Sequence, residues 1–108
     1  MPSGRPKEIS FTPAVAGTVR VRCTFEMDWT GTAVTMAYAA AFCEQGGTTI
    51  YSQSGVYPPK YVLQAGRIEE VFNVSAGSLV KVGLFGSVAP LGSVNFYNIK
   101  VEARFVPI

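Results

Sequence analysis

Val19-Arg20-Val21-Arg22-Cys23-Thr24-Phe25-Glu26-Met27-Asp28 alternates apolar and polar residues over ten consecutive positions. A strand turns successive side chains to opposite faces, so this run reads as a half-buried β-strand. The same sign pattern returns near the C-terminus, where Ile99, Val101, Ala103 and Phe105 alternate with Lys100, Glu102 and Arg104. Two long strands thus each offer one face to a core and one to water, as antiparallel sheets commonly do.

Outward from these runs, clusters of Gly, Pro, Asn and Ser recur at spacings of about ten residues, separated by segments rich in Val, Ile, Thr, Phe and Tyr. Eight strands are expected: Glu8 to Thr12, Thr18 to Asp28, Thr32 to Glu44, Thr48 to Ser54, Lys60 to Gln64, Arg67 to Val74, Leu79 to Ser87 and Val94 to Val106. This spacing is the signature of a sandwich or barrel, and the expected fold class is all-β, with an antiparallel β-sandwich the reading taken. Gly46-Gly47 is short enough for a tight hairpin between the third and fourth strands. At 108 residues the chain holds one core. Residues 1–7 read as a flexible N-terminal arm and residues 8–108 as a single β-sandwich domain.

Residues 33 to 43 are rich in alanine, a strong helix former, but their alternation favours a strand. Val34, Met36, Tyr38 and Phe42 fall on one face, and Ala33, Thr35, Ala37, Ala39, Ala41 and Cys43 on the other. The large face is expected in the core, with the small face under something close. Either that face is covered by an N-terminal arm or simply exposed, or it packs against a second subunit, which makes Ala33, Thr35, Ala37, Ala39 and Ala41 a candidate oligomer face.

Apolar residues make up 48% of the chain and charged residues 15%, which excludes a disordered segment. Net charge is +2, with the basic residues spread along the chain, so no nucleic-acid partner is indicated. Arg20, Arg22, Lys100 and Arg104 would meet if their strands were neighbours, yet Glu26, Asp28 and Glu102 interleave with them, which reads as a mixed solvated face. No apolar stretch is long enough to cross a membrane, and residues 1 to 15 lack the apolar centre of a signal peptide.

There are two cysteines, Cys23 and Cys43. Were residues 19–28 and 33–42 paired as a hairpin, the two thiols would be offset by about five residues, beyond disulfide reach. In opposite sheets that argument does not apply. Two free, buried thiols are the favoured reading.

Histidine is absent, and with it the commonest general base, triad partner and zinc ligand. Glu26 and Asp28 share a strand face about 6.6 Å apart by strand rise, a spacing compatible with a glycosidase pair, but no other group supports such a site. Neither an Asp-rich calcium loop nor a phosphate-binding loop occurs. No enzyme activity and no cofactor or metal is expected. Binding chemistry is signalled by aromatic residues alone. Tyr51, Tyr57 and Tyr61 flank a loop carrying hydroxyl, amide and ammonium groups, a surface suited to sugar rings or a protein partner, or else they pack at the sandwich edge with their hydroxyls in water. Trp29, in a turn, is a further candidate, although a lone Trp more commonly closes one end of a core.

Gly17 to Glu26, the stretch Val74-Ser75-Ala76-Gly77-Ser78-Leu79-Val80-Lys81-Val82 and the ending Val94-Asn95-Phe96-Tyr97-Asn98-Ile99-Lys100-Val101-Glu102-Ala103-Arg104-Phe105-Val106-Pro107-Ile108 resemble the small jelly-roll modules of bacteriophage virions, found in tail fibres, head fibres and decoration proteins. The resemblance implies a jelly-roll sandwich acting as a non-enzymatic structural or receptor-binding module of a virion assembled in the host cytoplasm. It further implies a symmetric homo-oligomer, with a trimer favoured, in contact with other virion proteins or a host-surface glycan. The alternative is a monomeric carbohydrate-binding module that uses the loop aromatics.

Overall fold

The computed structural model describes residues 3–31, 37–58, 62–88 and 92–108. Within them lie seven strands and no helix: β1 (Gly4–Phe11), β2 (Gly17–Gly31), β3 (Ala37–Gln45), β4 (Thr48–Tyr51), β5 (Gln64–Val74), β6 (Val80–Val88) and β7 (Gly92–Pro107). They form two antiparallel sheets, β1-β6-β3-β4 and β5-β2-β7. The alternating run is the middle strand of the smaller sheet, where Val19, Val21, Cys23, Phe25, Met27 and Trp29 are all buried and the residues between them reach solvent. Their period of two is therefore the boundary between core and water. Ile68, Phe72, Val94 and Val101 extend this apolar layer along β5 and β7.

The facing layer comes from the larger sheet and includes Val80, Val82 and Leu84 of β6 together with Ala37, Ala39, Ala41 and Cys43 of β3. The small face of β3 thus points into the core, reversing the expected orientation. Alternation separates two faces, but it gives no direction when both are apolar. Here the opposite sheet supplies Phe25, Met27 and Trp29, and an interior filled to constant density has room for alanine beneath such bulk. Ala37, Ala39 and Ala41 are at most 1% exposed within this single chain, so they offer no surface to a second subunit. Ala33 and Thr35 lie outside the described residues.

Other expectations shift with the sheets. β2 and β3 belong to different sheets and form no hairpin, because β2 pairs with β5 and β7 on its two sides. The hairpin of β3 and β4 does form. Gln45 pairs with Thr48, and Gly46 and Gly47 have φ of 60° and 78°, the positive values a two-residue turn of this kind requires. Among the described residues no separate strand lies between β4 and β5, where the sequence predicts one from Lys60 to Gln64. Gln64, Ala65 and Gly66 continue into β5, and Gly66 is not a break but the place where the Phe25 ring lies against the backbone, 2.6 Å from where a Cβ would stand. Lys60 and Tyr61 lie outside the described residues. At the other end β1 starts at Gly4, so residues 4–7, expected in an arm, belong to a strand paired with β6.

Both thiols are free and buried. Removal from water disfavours the thiolate, pushing the Cys23 thiol up to about 12 and raising that of Cys43. Neither is a nucleophile in this state.

Candidate functional site

The reversal of β3 decides where the large side chains go. Tyr38 and Phe42 project from the outward face of the four-stranded sheet. The register places Phe42 opposite Gly83 of β6 and Tyr51 of β4, and Ala40 opposite Phe85. Phe42 is fully buried although it belongs to no part of the core cluster. Its cover is the Arg5 guanidinium, 4.1 Å from the ring centroid, a cation over an aromatic face. Arg5 is fixed in turn by Glu44 at 2.6 Å, by Glu8 at 3.6 Å and by the Thr49 hydroxyl at 3.4 Å.

Beyond this charged end the face is a row of rings. Tyr51 lies 5.0 Å from Phe85, Phe85 6.3 Å from Tyr38, and Tyr38 5.6 Å from Tyr57, measured between centroids. Tyr51 and Tyr57 are 45% and 62% exposed. Four rings therefore cross three strands and a loop as one partly open aromatic surface.

Tyr57 stands on residues 52–58, which are stitched to the edge of β3. The amide and carbonyl of Val56 bond those of Ala39 at 3.0 and 2.9 Å, and Ser52 donates from its amide to the Ala41 carbonyl and accepts from the Ala41 amide through its hydroxyl. Gly55 permits this approach, because a Cβ there would lie 2.8 Å from the Ala39 carbonyl oxygen. The far end is anchored by Trp29, whose Nε1 donates to the Pro58 carbonyl at 2.8 Å. Trp29, a ligand-binding candidate against the commoner role of closing one end of a core, is 4% exposed. It packs in the core and positions the loop that carries Tyr57.

Of the residues singled out from sequence, Tyr51 and Tyr57 are thus joined through Phe85 and Tyr38, Trp29 is internal, and Tyr61 lies outside the described residues. Tyr38, Phe85 and Arg5 were not singled out. The signal was present in β6, where Val80, Val82 and Leu84 alternate with Lys81, Gly83 and Phe85, and in Tyr38 and Phe42 once the alanines are turned inward.

The paired carboxylates have other occupations. Asn95 donates to Asp28 at 2.9 Å and Asn98 donates to Glu26 at 2.7 Å, the latter from a residue at φ 53° in the irregular part of β7. No cluster of His, Cys, Asp or Glu capable of holding a metal ion occurs among the described residues. No protein-family model matches the chain, and no curated protein matches it.

Proposed function

We propose that this chain is a non-enzymatic binding module that takes sugar rings on the aromatic outward face of its four-stranded sheet. The observation that carries the reading is the continuous row Tyr51, Phe85, Tyr38 and Tyr57, partly open to solvent and bounded by the Arg5–Glu44 pair. Flat rings gain from covering the apolar faces of a sugar while tyrosine hydroxyls and a charged end meet its hydroxyl groups. Stacking of this kind needs no deep pocket.

A jelly roll is the proposed class of the fold. Supporting it, β3 and β4 are the one consecutive pair sharing a sheet among the described strands, and every other connection crosses the sandwich. An eight-stranded jelly roll without its first strand has this order. The setting on a bacteriophage virion, where such a face would read a host-surface glycan, is supported by the sequence resemblance. A symmetric oligomer remains part of that proposal, with its contact surface elsewhere than the alanine face. Sedimentation velocity distinguishes a trimer from a monomer.

The binding reading is tested by screening the chain on a glycan array and titrating each hit against the wild type, Tyr57→Ala and Tyr51→Ala. Loss of about tenfold in affinity for each variant is expected. Binding that survives both substitutions would remove the aromatic row as the site.

A further inference from the structure

The outward face of the three-stranded sheet holds a second arrangement. Its register sets Arg20 of β2 directly opposite Arg104 of β7 on one side and Val71 of β5 on the other. Residues directly opposite on one face have Cβ atoms about 4.5–5.5 Å apart, and like charges so placed repel. The neighbouring carboxylates bond other groups. Glu69 takes Arg22 at 2.6 Å and Arg67 at 3.4 Å, Glu102 takes Lys100 at 3.2 Å, and Glu26 takes Asn98. Neither Arg20 nor Arg104 has an ion-pair partner among the described residues. Around them lie two adjoining depressions of about 230 and 200 Å³, both lined by Arg20 and Arg104, the first also by Arg22, Ala103 and the Lys100-paired Glu102, the second also by Thr18, Val71 and Val106. Val71 and Val106 are half exposed.

We propose that Arg20 and Arg104 form a binding site for a phosphate or sulfate monoester. Two guanidinium forks on neighbouring strands need an anion that each can grip with two N–H groups. A carboxylate has two oxygens and satisfies one fork, whereas a tetrahedral oxyanion has three free oxygens to share between both. A phosphate monoester also carries close to two negative charges at neutral pH, matching the two cations. The exposed Val71 and Val106 beside the pair supply an apolar wall for the organic body of the ester. A free inorganic ion would leave that wall uncovered. The site lies on the opposite sheet from the aromatic row and stands independently of it.

The test is a titration of the whole chain with phenyl phosphate, phenyl sulfate, inorganic phosphate and sodium chloride at matched ionic strength, followed by the arginine side-chain Nε–H signals in NMR. Saturable shifts confined to Arg20 and Arg104 are expected, with a phenyl ester binding more tightly than inorganic phosphate, and comparison of the two esters identifies the group preferred. Arg20→Gln and Arg104→Gln should each weaken binding about tenfold, while Arg67→Gln, on the same face, leaves it unchanged. Shifts that follow ionic strength alone, equal binding of ester and free ion, or equal loss in Arg67→Gln would overturn the proposal. Backbone spectra of the variants establish that each retains the fold.

Discussion

On the outward side of β3 and β6, opposing positions read Phe42 with Gly83 and Ala40 with Phe85, whereas on the outward side of β2 and β7 they read Arg20 with Arg104 and Arg22 with Glu102. Both faces follow from the same alternation along a strand. The second face does what an outward face commonly does, carrying charge into water, and most of its charges neutralise one another in place. The first is apolar, and a folded chain leaves such a face uncovered at the cost of exposed aromatic surface. It is partly roofed by Arg5 and partly open. The difference teaches that the low overall charge of the chain has a location, and that location is the candidate binding face.

The largest break in this comparison is expected from Phe42. It lies on an outward face yet is packed like a core residue, so Phe42→Ala should cost about 3–5 kcal/mol, while Thr24→Ala on the charged face should stay within about 0.5 kcal/mol. Urea denaturation measures both. Near-equal midpoints would mean that Arg5 does not cover the ring. Next in size is Ala41→Leu, which overfills the space between the sheets and should cost about 1–3 kcal/mol. A neutral Ala41→Leu would restore the alanines to an open surface.

Smaller effects follow from ionisation. The Cys23 thiol has its pKa raised from 9.0 to about 12 by burial. Folded and unfolded chains both keep the proton below the ordinary thiol value, so this stabilisation is complete there. As pH rises from 9.0 toward 12 the unfolded chain loses its proton first, and stability falls. Replacing Cys23 with Ala should flatten that alkaline decline in a series of denaturation curves.

Smallest is the charged face itself. The hydrogen bond from Arg22 holds the Glu69 carboxyl below the usual carboxylate range, with Arg67 adding to it. A depressed value contributes stability above that range, lost as pH falls through the folded value. Glu69→Gln should therefore slightly flatten the acid limb of stability. Because the pair is exposed, added salt should erase the difference.

The sequence made one face of the sandwich legible and misdirected the other. In β2 the polar residues Arg20 to Asp28 point unambiguously to water, so the alternation has a sign. In β3 both sets are apolar, and the inward choice of Ala37, Ala39 and Ala41 depends on the bulk of Phe25, Met27 and Trp29 across the core, which no local pattern contains. Tyr51 and Tyr57 were recognisable from their loop. Phe85 and Tyr38 join them only through strand pairing between residues 38 and 87 and between 42 and 51. The sequence places Trp29 in a turn because the polar alternation ends at Asp28, whereas β2 runs on to Gly31.

The central claim is that the aromatic face of the four-stranded sheet is where this chain meets its ligand. Aromatic-ring NMR of the chain with a bound glycan from the array tests it most directly. Shifts are predicted at Tyr51, Tyr57, Tyr38 and Phe85, with the Arg20–Arg104 face unmoved. A glycan that shifts the charged face and leaves those four rings unchanged would contradict the account.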